Sequence, residues 1–451
     1  MNTSPIERNP ASFRDPTGFV YRKGGKLCRA ISERGKSDFT LFLRSGLAGR
    51  LIQENKVVPF QRIENQTALE LRELGFITYP YEWSFGQLRD AALLTLELAD
   101  TALEHDMILQ DATAFNVAFE NGRPIFMDHG SFRAYHPGEV WCAYRQFIMH
   151  FLAPLLLMKH ADLRCLDFFR SHVEGFPLDF ASRLLPWRTW LKIDPLIHVH
   201  LHARMEMKYS GAVGKIQAPT TTKAKLHTLF AELKNYIATL SFPKQKTEWV
   251  DYYSDNNYSE TDFQFKKSEI ERICQKLSPH TTIDLGANTG VFSEIAAGYS
   301  RQVIAADIDP AAVEALYRLS KTKCPNIIPV LQDLNNPTPG IGMFNRERCD
   351  FYSRCHGELV MGLALIHHLR ISGNWPLPHI VKLFADMTAD AALVEFVPRS
   401  DSQVQRLLRS RNDIFDDWTL EEVVRAFREK FSICNTIPIP DSGRVLLELY
   451  L

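Results

Sequence analysis

The sequence lacks the features of several protein classes. Its eight cysteines are scattered without a Cys-x-x-Cys pair, which excludes a disulfide framework. The longest apolar run, Phe147 to Met158, includes His150 and is too short to cross a bilayer. The N-terminal residues MNTSPIERNP contain no apolar signal-peptide core. We therefore expect a cytoplasmic protein with reduced, mostly buried thiols and no membrane partner.

An excess of charge of either sign is also missing. Lys and Arg total 52 against 53 Asp and Glu, a net charge of −1, which gives no support to a nucleic-acid-binding surface over the whole protein. A small-molecule or protein partner is favoured, although the basic stretch 208–225 could bind phosphate. With 45% hydrophobic residues, 451 residues are enough for two or three folded domains. The sequence contains no repeat of fixed period.

The first half of the chain predicts a mostly helical α+β domain over residues 1–243. Lys23-Gly24-Gly25-Lys26 predicts a hairpin turn between two short strands. Apolar residues from Phe85 to Glu104 recur close to every 3.6 positions, which predicts a long helix. Prolines interrupt further helical patterns up to Tyr236. We place the domain boundary near Pro243, followed by a connector over 244–266.

The second half, residues 267–451, alternates helical patterns with short apolar strands. Those strands are TTIDLG, QVIAAD, NIIPVL, ELVMGLA, ALVEFVP, FSICNTIPI and GRVLLELYL. Alternation of this kind is typical of a doubly wound α/β domain. We expect a Rossmann-like sheet of seven strands.

The most specific motif is a glycine turn after the first of these strands. It contains Asp284, Gly286, Asn288 and Gly290 at alternate positions, and a helical pattern follows it. Such a turn places a carboxylate and backbone N–H groups around a ligand at the carboxyl end of the strand. The second strand ends at Asp307, where a carboxylate can accept hydrogen bonds from both hydroxyls of a ribose. No Gly-Lys-Ser/Thr sequence is present, and a carboxylate would repel phosphate.

These residues resemble the first motifs of class I S-adenosylmethionine-dependent methyltransferases. The resemblance covers about Lys267 to Leu451. It implies that S-adenosylmethionine is the cofactor. The methionine part would be held by the glycine turn, the ribose by Asp307, and the adenine near Asp333 in Leu331-Gln332-Asp333-Leu334. The implied cofactor residues are Asp284, Gly286, Asn288, Gly290, Asp307, Ile308, Asp333 and Leu334. A dinucleotide-binding fold or a structural strand–helix turn is the alternative.

Longer strings resemble the NoeA nodulation-protein-related methyltransferases. They are Asn336-Pro337-Thr338-Pro339, Glu347-Arg348, Leu363 to Leu369, Val394 to Pro398 and, in the first half, Tyr81-Glu82-Trp83-Ser84-Phe85. The resemblance therefore extends over most of the chain. One position departs from it, because Glu358 stands where the family pattern leads us to expect Asp.

Four side chains are candidates for the chemistry of methyl transfer. A hydroxyl or amine acceptor must lose a proton, and His is a suitable base near neutral pH. His367 and His368 follow the fourth strand, Glu358 begins it, and Glu395 ends the fifth. Of the two histidines we prefer His367 slightly as the base. Either His could instead cap the following helix, and Glu395 could instead form an ion pair with Arg399. Without an Asn-Pro-Pro-Tyr string or paired cysteines, methylation of a base amino group and a metal or radical mechanism are less favoured.

A second motif lies in the first half of the chain. Asp111, Asn116 and Asp128 have the spacing of the catalytic loop and metal-binding Asp in protein-kinase-like and aminoglycoside-phosphotransferase-like folds. The resemblance implies Asp111 as base, with Asn116 and Asp128 holding Mg²⁺ for ATP. It departs from the family at Leu109-Gln110 and lacks a full glycine-rich loop and a phosphate-pairing Lys. We expect a kinase-like scaffold that helps bind the acceptor, with an active phosphotransferase or coincidence as alternatives.

Two further groups carry weaker predictions. His198, His200 and His202 could share a face and bind Zn²⁺, but the neighbouring Arg and Lys residues favour a solvated or nucleotide-facing helix, and we predict no metal site. Tyr252, Tyr253 and Tyr258 could cover the cofactor or belong to a docked linker.

The main hypothesis is a methyltransferase acting on an O or N nucleophile. The alternatives are a bifunctional Mg²⁺/ATP phosphotransferase–methyltransferase and a non-catalytic cofactor-binding module.

Overall fold

A computed structural model describes residues 7–63, 68–209, 220–243, 260–409 and 412–451. The three candidate tyrosines at 252, 253 and 258 lie outside these ranges, as does part of the 208–225 stretch. The chain divides into two units. The first comprises Met1–Lys244 with Gly340–Cys349, and the second Gln245–Pro339 with Asp350–Leu451. Within the described ranges, no helix has the length and apolar character needed to span a membrane.

The first unit begins with a sheet of five described antiparallel strands. They are β1 (Glu7–Arg8), β2 (Gly18–Lys23), β3 (Lys26–Ile31), β4 (Phe60–Ile63) and β5 (Ala68–Leu71), in the order β1-β2-β3-β5-β4. Gly24 and Gly25 both have positive φ, of 58° and 80°, and form the two-residue turn between β2 and β3. This confirms the predicted hairpin, whose turn type requires positive φ at both central positions. Helices α1 (Lys36–Arg44) and α2 (Leu47–Gln53) follow β3 along the chain.

Helix α3 (Phe85–Glu104) is the longest helix described in the first unit and has the predicted bounds. The Ser84 hydroxyl accepts from the backbone N–H of Gln87, and the Gln87 side chain accepts from the N–H of Ser84, a capping box that fixes the start of the helix. The later helices are α4 (Tyr144–Phe147), α5 (Ala153–His160), α6 (Leu178–Leu184), α7 (Ile193–Pro195), α8 (His202–Tyr209) and α9 (Lys223–Thr239). Single π-turns, Ile148–Leu152 and Leu196–Leu201, join α4 to α5 and α7 to α8.

Two small strand pairs follow α3 in the first unit. Strand β6 (Met107–Leu109) pairs with β9 (Phe132–Ala134), and β7 (Val117–Glu120) pairs with β8 (Arg123–Phe126), both antiparallel. The loops around these pairs contain the motif residues Asp111, Asn116 and Asp128.

The segment Gly340–Cys349 packs within the first unit although second-unit sequence flanks it on both sides. Arg14 Nε donates to Glu347 at 2.7 Å, and the N–H of Cys349 donates to the hydroxyl of Tyr79 at 3.2 Å. The guanidinium of Arg348 lies 4.7 Å from the ring centre of Phe115. This excursion was not predicted, because a domain boundary near Pro243 assigns all later residues to the second domain.

The described residues of the second unit form the predicted sheet of seven strands. They are β10 (Thr281–Leu285), β11 (Gln302–Asp307), β12 (Ile327–Leu331), β13 (Gly357–Gly362), β14 (Thr388–Phe396), β15 (Ser432–Pro438) and β16 (Val445–Tyr450). The order is β12-β11-β10-β13-β14-β16-β15, parallel from β12 to β14, with β16 antiparallel to both of its neighbours. The order reverses at β10, and a crevice for a ligand forms at the carboxyl ends of the strands at such a point.

Helices connect these strands and bury their apolar faces on the sheet. They are α10 (Glu260–Leu277), α11 (Val291–Ala297), α12 (Pro310–Thr322), α13 (Phe351–Arg354), α14 (Leu377–Met387), α15 (Ser402–Leu408) and α16 (Leu420–Phe427). The start of α10 corrects the predicted connector over 244–266, because residues from Glu260 onward are helical. Ile270, Ile273 and Cys274 from α10 join the core against Val303 and Leu359 of the sheet.

The cysteines whose side chains are described form no disulfide. Cys142 and Cys349 are exposed, and the others described are buried, namely Cys28, Cys165, Cys274, Cys324 and Cys355. Burial raises the pKa of the Cys274 thiol to about 12, so this thiol stays protonated and acts as a core residue.

Candidate functional site

A cavity of about 310 Å³ opens at the carboxyl ends of β10 to β13, where the strand order reverses. Its volume is at the lower end of the range for small-molecule sites. Each of the four strands contributes residues from the loop that follows it. The lining residues are Phe263, Lys266, Gly286, Asn288, Phe292, Ala306, Asp307, Ile308, Gln332, Asp333, Leu334, Asn335, Leu363, Ala364, Leu365, His368, Leu369, Ser372 and Leu407.

The glycine turn after β10 is fastened to the end of β11. The N–H of Gly286 donates to the carbonyl of Ala306 at 2.9 Å, and the N–H of Asn288 donates to Oδ2 of Asp307 at 2.8 Å. Gly286 and Asn288 have positive φ, of 75° and 49°, and both lie on the cavity wall. Gly290, with φ 93°, does not line the cavity. A Cβ at this position would lie 2.6 Å from Leu316, so Gly290 allows α11 to pack against α12.

Asp284 lies beneath the turn and is buried. Its carboxylate accepts a hydrogen bond from the hydroxyl of Ser293 at 2.6 Å. Burial raises the pKa of Asp284 to about 6, and the nearby charge of Asp307 acts in the same direction. Asp284 is not part of the cavity wall, and it is separated from the cavity by the turn itself.

Asp307 lies on the cavity wall at the end of β11. Its two carboxylate oxygens accept from the N–H groups of Asn288 and Asp309, each at 2.8 Å. Burial raises the pKa of Asp307 to about 6, against the lowering effect of these hydrogen bonds. The next residue, Ile308, lines the cavity with an exposed side chain. The structure therefore brings the predicted ribose carboxylate into the cavity at a strand end.

The loop after β12 supplies a further side of the cavity. Asp333 and Leu334, which were predicted to lie near the adenine, line it together with Gln332 and Asn335, which the sequence did not point to. The N–H of Asn335 donates to Oδ1 of Asp333 at 2.8 Å, which tightens the loop. The polar run directly after the apolar strand was the available signal for these two residues.

Helix α10 contributes Phe263 and Lys266, which the predicted connector had left outside the domain. The ammonium of Lys266 is 2.6 Å from Oε2 of Glu395 and 4.4 Å from the ring centre of Phe292. Burial lowers the pKa of Lys266, although the charge of Glu395 opposes this. Lys266 is the one Lys or Arg among the described residues of the cavity wall.

Glu395 belongs to a buried ion-pair network and does not line the cavity. Besides Lys266 it pairs with Arg444 at 3.3 Å, and Arg444 also pairs with Asp401 at 2.8 Å. The alternative pair with Arg399 is wrong, because that side chain bonds to Asp413. The prediction of Glu395 as a catalytic residue is corrected, since both of its oxygens are occupied by cations.

Glu358 is also misplaced for catalysis. It begins β13, and its carboxylate accepts from the backbone N–H of Thr281 at 2.7 Å. The strands are parallel, so this is the amino-end edge of the sheet, opposite the carboxyl ends that form the cavity. The prediction of Glu358 as a catalytic residue is corrected, because its carboxylate instead joins the starts of β10 and β13 by a hydrogen bond.

The two histidines after β13 have different positions. His368 lines the cavity, whereas His367 is buried behind it, with ring centres 4.2 Å apart. Neither ring nitrogen of His367 has a hydrogen-bond partner among the described residues. Burial lowers the pKa of His368 to about 4 and that of His367 well below its ordinary value. Both rings are therefore neutral near pH 7, and His368 is better placed than the preferred His367.

The chain is similar to a known protein over almost its whole length. Nodulation protein NoeA from Rhizobium meliloti (strain 1021) is 34% identical over 455 residues, covering 97% of this chain and 95% of that protein. The chain belongs to the NoeA family. This confirms the family resemblance carried by the longer sequence strings, and membership extends over both units. No family model matches the chain.

Solved structures similar to this NoeA family member are methyltransferases. The N-methyltransferase NodS from Bradyrhizobium japonicum WM9 covers 43% of this chain and 97% of that chain, at 12% identity and a TM-score of 0.32. The magnesium protoporphyrin IX methyltransferase ChlM from Synechocystis PCC 6803 covers 45% and 92%, at 14% identity and 0.31. These TM-scores are too low to establish a common fold. The fold class of the second unit is therefore inferred from its own strand order.

The first unit of this NoeA family member brings its three motif residues together. Asp111 accepts from Gln146 Nε2 at 2.7 Å, and burial, followed by the charge of Asp128, raises its pKa. Asn116 Nδ2 donates to the Ser131 hydroxyl at 3.3 Å, and that hydroxyl donates to Asp128. The three side chains thus form one cluster.

The cluster already contains a cation. Arg29 from β3 lies 2.7 Å from Oδ1 of Asp128 and also bonds to Asp15. Burial alone would raise the pKa of Asp128, but the charge of Arg29 lowers it. Asp128, the predicted metal ligand, is therefore paired with a guanidinium.

The three histidines between 198 and 202 have separate hydrogen-bond partners. Nδ1 of His198 bonds to the Tyr144 hydroxyl at 2.7 Å. His200 bonds to the hydroxyls of Ser182 and Thr189, at 2.7 and 2.8 Å. Within the described ranges, no group of three His, Cys, Asp or Glu side chains is arranged to hold a metal ion. These histidines fix the packing of a helical segment.

Proposed function

We propose that the chain is an S-adenosylmethionine-dependent methyltransferase whose second unit binds the cofactor. The observation that carries the proposal is the position of Asp307. Its carboxylate lies on the wall of a cavity at the reversal point of the sheet and is joined to the glycine turn by the N–H of Asn288. Carboxylates at this position in doubly wound sheets accept hydrogen bonds from ribose hydroxyls.

The other groups on the cavity wall fit the parts of this cofactor. Lys266 supplies a cation for an α-carboxylate, and Ile308 and Leu334 supply apolar surface for a purine, with Asp333 and Asn335 as polar partners at its edge. The carboxylates of Asp284 and Asp307 favour a cationic ligand over a phosphate-bearing one. S-adenosylmethionine bound here would supply a methyl group on a positively charged sulfur.

The transfer itself requires alignment and the removal of one proton. An acceptor O or N that took up this methyl group would have to be held in line with it and would have to lose a proton. His368 is neutral at pH 7 and lies on the cavity wall, so a ring nitrogen can accept this proton. His367 packs behind it and positions its ring. The apolar wall, which includes Leu363, Leu365 and Leu369, excludes water.

We assign the first unit as a kinase-like scaffold that binds a small-molecule or protein acceptor. Its antiparallel sheet with α1 and α2 following β3, the long α3, and the cluster of Asp111, Asn116 and Asp128 support this assignment. The pairing of Arg29 with Asp128 favours a scaffold over an active phosphotransferase, because the carboxylate already has a cationic partner.

Labelled-methyl transfer tests the main proposal. The full chain is incubated with S-adenosylmethionine carrying a labelled methyl group and a cell extract, and the labelled product is sized as small molecule or protein. Transfer that is lost in Asp307→Asn and retained in the surface variant Asp386→Asn is expected. Unchanged calorimetric affinity for the cofactor in both Asp284→Asn and Asp307→Asn would refute the assigned site. Turnover with any acceptor excludes the non-catalytic module.

A Mg²⁺/ATP phosphotransferase in the first unit is the second candidate, favoured by the convergence of Asp111, Asn116 and Asp128. ATP-dependent product formation that is lost in Asp128→Ala would support it. Absence of nucleotide binding by the wild-type chain at saturating ATP and Mg²⁺ would remove it.

A further inference from the structure

An unusual surface lies on the first unit between residues 183 and 208. Of the fifteen large apolar side chains that are exposed in the described residues, eight lie in this stretch. Trp187, Leu191 and Ile193 are the most exposed of them, at 75%, 75% and 73%. A soluble protein rarely exposes so much apolar surface in one place unless it contacts a partner there.

The remaining exposed residues of the same stretch are all basic. They are Arg183, Arg188, Lys192, Arg204 and Lys208, interleaved with the exposed apolar residues Leu184, Trp187, Leu191, Ile193, Ile197, Leu201, Met205 and Met207. We call these thirteen residues the basic apolar face. No acidic or neutral polar residue between 183 and 208 is exposed.

The two acidic residues of the stretch are directed elsewhere. Glu206 is half-buried and bonds to Arg145, and it lies 3.4 Å from His202. Asp194 is half-buried, and its charge acts on the interior His198 and on Tyr236. Of the basic side chains of the face, Arg183 lies 3.6 Å from Asp179, which precedes the stretch.

Neighbouring cations add to this positive charge. Arg188 donates to the backbone carbonyl of His160 at 3.4 Å, which brings Lys159 and His160 beside it. Burial lowers the pKa of His160 to about 4, and the charges of Lys192, Lys159 and Arg188 act in the same direction. The like charges of Arg188, Lys192 and Lys159 are thus close together, and such a group of cations suits an anionic partner.

The inner side of the segment is firmly packed. Trp190 stacks on His200 with ring centres 4.1 Å apart, and the guanidinium of Arg204 lies 4.3 Å from the ring centre of Trp190. With His200 bonded to Ser182 and Thr189, the apolar side chains are displayed on a fixed framework.

We propose that the basic apolar face docks the protein on an anionic lipid bilayer. An exposed Trp with Leu and Ile, mixed with Arg and Lys, is the composition of a surface that inserts apolar side chains at the headgroup level while its cations contact anionic lipids. The expectation of no membrane partner was based on the lack of a spanning segment, which does not bear on surface binding. The proposal is independent of the proposed methyltransferase activity.

Vesicle flotation with the full chain tests the proposal. The probes are vesicles of phosphatidylcholine alone and of phosphatidylcholine mixed with phosphatidylglycerol. Binding is expected for the anionic vesicles only and should weaken as salt is raised. The double variant Arg188→Gln/Lys192→Gln should lose about thirty-fold in partition, since each cation near an anionic surface contributes on the order of a factor of five. Trp187→Ala should lose about tenfold or more.

Matched control variants lie on the second unit. Ile414→Ala removes an equally typical exposed apolar side chain, 63% exposed, and Arg428→Gln/Lys430→Gln removes two exposed cations. Both should bind vesicles like the wild type, and all variants should keep the wild-type melting temperature. Equal binding to neutral vesicles, or no binding to either type at low salt, would overturn the proposal. Self-association of the wild type that Trp187→Ala abolishes would overturn it in favour of a second copy as the partner.

Discussion

Cofactor affinity should depend on pH through the two carboxyl groups at the glycine turn. Asp284 and Asp307 each have a pKa of about 6 because they are buried. The proposed cofactor is cationic, and its ribose hydroxyls donate to a carboxylate, so the ionised forms are the ones that bind it. For one group with a pKa near 6, the ionised fraction falls from about 0.9 at pH 7 to about 0.1 at pH 5. The dissociation constant should rise about tenfold for one group and about a hundredfold for both.

Calorimetric titration of S-adenosylmethionine between pH 5 and pH 8 measures this dependence. Asp307→Asn removes one of the two ionisations, so the remaining rise between pH 7 and pH 5 should be closer to tenfold. At pH 7 the variant should also bind about ten- to a hundredfold more weakly, because a hydrogen bond to a charged group is lost. Asp386→Asn on the exposed face of α14 is the matched control and should leave both values unchanged.

The same two groups should affect stability with the opposite sign. Their pKa values are higher in the folded chain than the ordinary 3.8, so the folded state binds more protons than the unfolded state between about pH 4 and 6. Their contribution to the free energy of unfolding is therefore most favourable below pH 4 and is lost as pH rises through 6, by up to about 3 kcal/mol each. Asp307→Asn removes this penalty at pH 7 but leaves one of the two backbone N–H groups without an acceptor, so its melting temperature should change little although it weakens binding. Affinity that stays constant from pH 5 to pH 7 while circular dichroism shows an intact fold would refute the reasoning.

Three further predictions concern the packing beneath the cavity. Glu395→Gln should destabilise the second unit by about 3–5 kcal/mol in chemical denaturation, because Lys266 and Arg444 then lie buried without a carboxylate between them; a loss below about 1 kcal/mol would contradict the buried network. Adding Arg444→Met to Glu395→Gln should cost less than the sum of the single changes, by about 0.5–3 kcal/mol in a double-mutant cycle, and additivity would show that the two groups do not interact. Gly290→Ala should lower the melting temperature, since its φ is 93° and its Cβ would lie 2.6 Å from Leu316; an unchanged melting temperature would show that the turn can relax.

Local patterns were sufficient to predict several elements of the fold. The bounds of α3 follow from its apolar period, and the β2–β3 turn follows from two consecutive glycines. Asp307 was predicted to lie in the site because it ends the second strand of the domain. That position can be recognised from the neighbouring residues alone. These features depend on neighbours in the sequence, so the sequence alone contains the information.

Features that depend on distant residues could not be predicted in this way. Lys266 reaches the cavity because its helix packs beside Phe292 and Glu395, and Glu395 lies 129 positions further along the chain. Glu358 was a catalytic candidate, but its carboxylate accepts from the backbone N–H of Thr281, 77 positions earlier in the chain. The low pKa of His368 arises from burial, which three-dimensional packing alone determines.

The segment Gly340–Cys349 has a consequence for how this protein can be divided and recombined. Since these residues pack with the first unit while their chain neighbours on both sides belong to the second, no single cut separates the two units cleanly. A piece that begins after Pro243 would carry Arg348 without the ring of Phe115 and Glu347 without Arg14. If a single crossover exchanged either unit between two relatives, Gly340–Cys349 would come from one relative. The first-unit residues that it packs against would come from the other. We therefore expect an exchange of both units together to be tolerated better than an exchange of either unit alone.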